Sequence, residues 1–540
     1  MKKEHCSTKN GSIILVNPGI HIFPAYDNIG LYPNNAIQIL GTILHQNGFD
    51  VHIVDGRYLS VDDAVREILS LLDKDLVFIG FSVMTIQVKW AYLASCKIKK
   101  NCPHVKIAWG GVHPTLFPEQ TALDDAIDLC IVNECAYTIV QIANDLSAGN
   151  ELSNIPGLCY KKNGKAHTTS PNQVPDDFTN IPYIDFSIMN HRLYSRNNIF
   201  AIDSSVNEEY KNQIVYPIKT SLGCSFRCSF CINVILERKY KMRTAEEIVE
   251  RIKYLQSEYG ANYIDMEDEN FFGNKKRVYR FVELLRSNKI NVKWRSLIRA
   301  DYFNKNYINE SFVKELEESG MAIACIGVES ASQRTLDRLD KGMKVESITK
   351  SLDILSRTRI IARLGFMAGI PGETEEEIKK TYQFAVMLRE KYPTCQPLVC
   401  PFRLFPGSKF YDLAVSRYGY KSPERLSEWA EKADKEYSET VGFQNPKNYV
   451  WVTNAKHFEK RHNVFAIFRA SSWYLSPFKI RKGIKSNVKY IANLFLYKIS
   501  ALRLKRDFNA LNVENYLLKL FVKCKNIILY IKSHVSKLRI

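Results

Sequence analysis

The sequence predicts an α/β protein of two units, an open doubly wound flavodoxin-like sheet followed by a partial (β/α)6 barrel, with a basic helical C-terminal region. Three observations carry this. Short apolar runs alternate with amphipathic segments of about 10–15 residues through 12–147, the mark of consecutive βαβ units. The alternation stops over a polar, proline-rich stretch, then resumes at Ile214 and runs six times. From Lys456 onward the composition changes: 13 Lys and 6 Arg face three acids, so this tail carries almost all of the net charge of +18. With 540 residues there is chain enough for at least two cores. The expected divisions are 1–150, a linker over 151–209, the barrel over 210–410, and a helical, basic region over 411–540.

In the first unit the apolar runs are Ile13–Val16, Val51–Val54, Leu76–Val83, Lys106–Gly111 and Leu129–Glu134. Ligands of such sheets sit at the carboxyl ends of the strands. Those ends carry Asn17-Pro18-Gly19, Asp55-Gly56, Ser82 with Thr85, Gly110-Gly111 and Asn133-Glu134. Two glycines allow the backbone to approach a bulky ligand, and Ser82 and Thr85 add hydroxyls. A tight turn and a helix cap explain the same residues equally well. Residues 150–209, with Pro156, Pro171, Pro175 and Pro182, read as a linker holding one small hairpin at the Lys-Lys-Asn-Gly turn, 161–164.

The barrel strands are expected at 214–220, 263–268, 292–299, 323–329, 360–370 and 396–404, with the clearest helices at Thr244–Glu258 and Thr374–Glu390. Working residues of such barrels sit at the strands' C-terminal ends. After the first strand come Cys224, Cys228 and Cys231, a CxxxCxxC spacing. Three thiolates on one loop suit an iron–sulfur cluster, and a [4Fe–4S] cube held by three cysteines keeps one iron open for a ligand. A zinc site is the alternative, but no His or Cys follows Cys231 until Cys325. The next strand ends carry Glu267-Asp268-Glu269, Arg299, Glu329-Ser330 and Gly369-Ile370-Pro371. Neighbouring carboxylates call for a cation; Arg299 suits a carboxylate. Thr374 with Glu377 reads as a capping box.

The cysteine loop, with Phe230 before the last cysteine, resembles the signature of the radical S-adenosylmethionine enzymes. That resemblance implies a [4Fe–4S] cluster whose open iron is chelated by the amino and carboxylate groups of S-adenosylmethionine. Phe230 would lie beside adenine, and Glu267, Asp268 and Glu269 together would bind the amino group. Glu329 and Ser330 would serve the ribose side, with Gly369 and Pro371 near adenine. The run Gly110-Gly111-Val112-His113-Pro114-Thr115, with Pro118-Glu119 and the Asn34–Asp55 stretch, resembles the cobalamin-binding domain that precedes many radical S-adenosylmethionine domains. Ser82, Thr85, Gly110, Gly111 and Glu134 would then face cobalamin. The DxHxxG motif of methionine-synthase-type domains is missing, and His45-Gln-Asn-Gly48 reads as accidental. Asn133-Glu134-Cys135-Ala136 also departs from the family's Gly-Glu-Gly-Glu tendency.

Together the two units resemble the cobalamin-dependent, or class B, radical S-adenosylmethionine methyltransferases. The resemblance implies two molecules of S-adenosylmethionine, one donating methyl through cobalamin, the other giving a 5′-deoxyadenosyl radical. The methyl acceptor would be an unactivated carbon or a phosphinate phosphorus. The alternative within this architecture is an oxidative cyclase or ring-rearranging enzyme; a cobalamin- and redox-responsive sensor is the alternative outside catalysis. A flavodoxin or ferredoxin would supply electrons to act on a small-molecule or lipid-like substrate. Thirteen cysteines form no disulfide framework, and there is no apolar leader or run of about 18 apolar residues, so a cytoplasmic protein is expected. The tail's basic amphipathic stretches, Val488–Leu504 and Tyr516–Leu538, read either as a helical cap or as peripheral membrane contact, with nucleic acid behind both.

Overall fold

The computed structural model describes residues 10–20, 32–172, 180–196, 212–436, 449–475 and 484–507. Two sheets organise the chain, the first mixed and the second all parallel. In the first, strands β1 (Ser12–Asn17), β2 (Asp50–Asp55), β3 (Leu76–Ser82), β4 (Ile107–Gly110) and β5 (Leu129–Ile131) lie in the order 2-1-3-4-5, the flavodoxin order. β1 is buried along its whole length, as a strand covered by helices on both faces must be. The expected hairpin exists as β6 (Leu158–Lys162) and β7 (Lys165–Thr168), but it is no free linker. Cys159 of β6 pairs antiparallel with Cys130 of β5, so the first sheet runs on past residue 150.

The second sheet has six parallel strands: β8 (Val215–Ile218), β11 (Tyr263–Met266), β12 (Lys293–Ile298), β13 (Met321–Glu329), β14 (Ile361–Ala368) and β15 (Cys395–Pro401), in that spatial order. Between β8 and β11 a two-residue ribbon, β9 (Ser221–Leu222) with β10 (Lys241–Met242), flanks the cysteine loop. Its pairs are too short to show in an apolar pattern. Local chemistry fixes the helix starts: Thr244 with Glu247 and Thr374 with Glu377 both close capping boxes at the starts of helices Ala245–Tyr259 and Glu375–Lys391. Along β14, Ala362, Leu364 and Phe366 pack outward into the main core while Ile361 joins Val215, Tyr263 and Ile323 in a separate inner cluster.

The C-terminal helices Ala455–Tyr474 and Ile484–Arg506 pack on each other and against the barrel. Buried Arg461 donates to Asp507 at 2.9 Å and to Glu375 at 2.6 Å. Arg389 donates to the Ser472 carbonyl at 2.9 Å, and Tyr382 Oη lies 3.1 Å from His462 Nδ1. This part of the basic region is a cap on the barrel. Tyr516–Leu538 lies outside the described residues. No described helix is long and apolar enough to cross a membrane.

The first unit packs on the β8 side of the barrel. Tyr32 Oη donates at 3.1 Å to the carbonyl of Val215, the first residue of β8. Asn35, at the start of the first helix, lies near Glu267, just past the end of β11, and opposes the rise in its pKa.

Candidate active site

The cysteine loop leaves β8 through two anchored residues. Asp268, fully buried, accepts from Thr220 N–H at 2.6 Å, Ser221 N–H at 2.9 Å, Ser221 Oγ at 2.6 Å and Thr220 Oγ1. Arg277 Nη2 lies 3.6 Å from the same carboxylate. These partners saturate both oxygens, which corrects the expectation for Asp268: it latches the loop and has no lone pair to spare for an amino group. Gly223 then turns with φ +72°, and a Cβ there would lie 2.4 Å from the Lys239 carbonyl. On the far side, Ser229 N–H donates to the Leu339 carbonyl at 3.0 Å.

The loop presents Cys224 and Cys231 half-buried and Cys228 buried. Burial raises the Cys228 and Cys231 thiols; Lys341 and Arg299 oppose this at Cys228, and Lys341 does so at Cys231. Those cations would compensate thiolates bound to iron. Half-buried Phe230 packs on the main core beside the loop.

Around this mouth stand the other predicted residues. Glu267 is pushed up to about 7 by burial and by Asp265. Lys219 Nζ lies 2.8 Å from Glu269. Arg299 is already engaged: it donates twice to Asp301 at 2.9 Å and once to the Lys341 carbonyl at 2.7 Å, with its guanidinium 3.5 Å from the Phe226 ring centroid. Glu329 takes the left-handed φ of +67°, a strained conformation for this side chain, and pairs with Lys341 at 2.7 Å. Lys341 was missed by the sequence reading. Its only signal is a turn, since Asp340 and Gly342 on either side have φ of +50° and +61°.

Two predicted residues are directed elsewhere. Ser330 is fully buried, 3.3 Å from Thr381 Oγ1 on an outer helix, and accepts from Ser332 N–H at 3.1 Å. It is part of the outer packing layer and does not reach the ribose side. Gly369 has both backbone groups occupied: its N–H donates to Glu373 at 2.8 Å, and its carbonyl accepts from Trp451 Nε1 at 2.6 Å. Pro371 offers its carbonyl to Arg338 at 2.5 Å. The bend therefore shapes the mouth without free polar groups at Gly369. Glu373, another residue unseen from the sequence, braces it; burial pushes its carboxyl up to about 8.

On the facing rim a polar chain runs from Asp55 through Asn17 (2.9 Å) and Asn34 (3.0 Å) to the Ser82 hydroxyl (3.2 Å). Thr85 Oγ1 stands 3.4 Å from His113 Nδ1. A Cβ at Gly110 would touch nothing closer than Ile131 at 3.7 Å, so the rim is open there. Gly111 is fixed by its own φ of +96° and by Val83 N, 2.8 Å from where its Cβ would stand. Half-buried Glu134 follows Asn133, whose φ of +65° turns the chain. The carbonyl of Glu134 accepts from Asn172. His113 is sealed between Phe117 and Trp429 with its pKa lowered to about 3 by burial, and His45 ends a helix, so neither is presented to a metal at the rim. An open, glycine-lined rim without these histidines fits a corrinoid bound with no histidine beneath its metal.

The comparisons with known proteins agree with this geometry. Residues 218–385 match the radical SAM superfamily, and residues 30–143 match the B12 binding domain. The chain is a cobalamin-dependent radical S-adenosylmethionine enzyme. Its cofactors are a [4Fe–4S] cluster, S-adenosylmethionine and cobalamin. It is 28% identical over 373 residues to an uncharacterized methyltransferase of Pyrococcus horikoshii, covering 68% of this chain and 75% of that one. It is 23% identical to the anaerobic magnesium-protoporphyrin IX monomethyl ester cyclase of Rubrivivax gelatinosus, covering 69% of this chain and 65% of the cyclase. The fold of the cobalamin-dependent S-adenosylmethionine radical enzyme OxsB superposes with a TM-score of 0.60 at 17% identity, covering 96% of this chain and 75% of OxsB.

Proposed function

We propose that this enzyme transfers a methyl group to an unactivated carbon or phosphinate phosphorus of a small-molecule substrate lying between its two cofactor sites. The observation that carries the reading is the meeting of the two rims at Asn35 and Glu267. It supports a chamber with the corrinoid face on one side and the cluster loop on the other. The cofactors supply the radical and the methyl group; the protein positions them and keeps water out. Cys224, Cys228 and Cys231 hold the cluster, and Asp268 holds their loop. Glu267 and Glu269 are left to receive the amino group of S-adenosylmethionine, and Glu329, steadied by Lys341, its ribose. Ser82, Thr85, Gly110, Gly111 and Glu134 line the cobalamin side. Over similar shares of the chain it is 28% identical to the methyltransferase and 23% identical to the cyclase, which favours transfer over cyclisation. Product mass tests this. A gain of one methyl with release of 5′-deoxyadenosine is expected; loss of hydrogen without a methyl would favour the cyclase reading and overturn this one.

A further inference from the structure

The last described helix, Ile484–Arg506, is apolar on two faces, and the fold uses one of them. Tyr497, Ala501 and Leu504 are buried at helical spacing, with the Tyr497 ring stacked on Phe468 at 5.0 Å. Near the helix end, Lys505 Nζ lies 2.5 Å from Glu390, and the Lys505 carbonyl accepts from Gln383 at 2.7 Å. These contacts clamp the helix to the barrel and set where its other face points. That face carries Ile491, Phe495, Lys498 and Leu502, spaced i, i+4, i+7 and i+11, so the four form one line. Ile491 is 65%, Phe495 53% and Leu502 49% exposed. A single exposed apolar residue is ordinary. Three large ones aligned on a clamped helix, reaching roughly 16 Å along its axis, mark a contact surface.

Charge around the line selects what it contacts. The helix holds six cations and no acid, and Lys498, Lys505 and Arg506 are exposed. The chain that follows, 508–540, adds six cations against Glu514. A second copy of this face, or that following segment laid across it, would set cation against cation. An anionic surface that also admits apolar side chains meets both demands. The outer side of one helix is a ridge, which suits a broad surface with a yielding apolar interior, and a lipid interface is such a surface.

We infer that this face rests on an anionic lipid surface, with Ile491, Phe495 and Leu502 entering the acyl boundary and Lys498 and Arg506 meeting lipid phosphates. The helix is then cap and membrane contact at once: its inner face closes on the barrel and its outer face docks. Such docking is peripheral and reversible, because three part-exposed side chains and a few cations fall far short of a spanning segment. Neither contribution holds the protein alone, so both apolar and charge substitutions release it. The inference is independent of methyl transfer and of the substrate.

The test uses the full chain loaded with its cofactors, sedimented with vesicles of phosphatidylcholine alone or mixed with phosphatidylglycerol. Binding to the anionic vesicles is expected, weakening as salt rises, with little binding to the neutral ones. Phe495→Gln should weaken it roughly tenfold, and Lys498→Glu roughly ten- to thirtyfold. Both positions are exposed, so cofactor absorbance should not change, which shows that the variants fold. No binding to anionic vesicles, or equal binding to neutral ones, would overturn the proposal. So would undiminished affinity in Phe495→Gln, which would assign lipid binding to 508–540 instead. A dimer that binds no vesicles and turns monomeric in Phe495→Gln would also overturn it, giving the face to a second copy.

Discussion

Asp268→Ala separates the latch from a ligand role. The change strands the Thr220 and Ser221 donors and leaves Arg277 without its buried counter-charge. Breaking a buried pair costs about 3–5 kcal/mol, and each stranded donor about 1–3 kcal/mol. These are not additive within one network, and Arg277 keeps its bond to the Phe271 carbonyl at 2.7 Å. A net loss of about 4 kcal/mol at the base of the loop follows, roughly a thousandfold in its ordered population. The assay is iron content and visible absorbance after anaerobic reconstitution, with S-adenosylmethionine affinity measured in parallel. Asp268→Ala should lose most of its iron, whereas Glu269→Gln should keep its iron and bind S-adenosylmethionine more weakly. An Asp268→Ala variant with full iron and selectively weakened S-adenosylmethionine would refute the latch and restore the ligand role.

Three further outcomes follow from single residues. Glu373 has a folded pKa raised from 4.5 to about 8, so the folded protein keeps a proton that the unfolded chain releases. Its contribution is present at low pH and falls as pH rises through that window, by about 1.4 kcal/mol per unit. Glu373→Gln should flatten that part of the Tm-versus-pH curve, and an unchanged slope would contradict the assignment. Gly223→Ala should cost more than the ~1 kcal/mol of an ordinary backbone misfit, because its Cβ would meet the Lys239 carbonyl at 2.4 Å; reduced iron retention is the readout. Arg461→Ala should release the C-terminal cap at a cost of about 1–3 kcal/mol, below that of a fully sealed pair because Asp507 and Glu375 keep some solvent. Limited proteolysis of the C-terminal helices would show it, and unchanged cleavage would argue against the anchoring role.

Both sheets were legible because the strand period and the βα alternation are set by burial along the chain. The cysteine trio was legible because one short loop carries all three ligands. Asp268 shows where that stops: an acid between two acids looks like a cation site, and only the fold reveals that Thr220 and Ser221 arrive beneath it. Ser330 and Gly369 stood at the expected strand ends, yet their polar groups are consumed by Thr381, Glu373 and Trp451, partners 4 to 82 residues distant in sequence. Lys341 was unseen for a related reason. A lone cation carries no pattern until the barrel closes around it.

Methyl transfer can be tested most directly before any substrate is known. Reduced protein containing cobalamin and S-adenosylmethionine should release S-adenosylhomocysteine in proportion to its bound cobalamin, and protein stripped of cobalamin should release none. Cleavage to 5′-deoxyadenosine with no S-adenosylhomocysteine, with cobalamin present and reduced, would contradict the methyltransferase account.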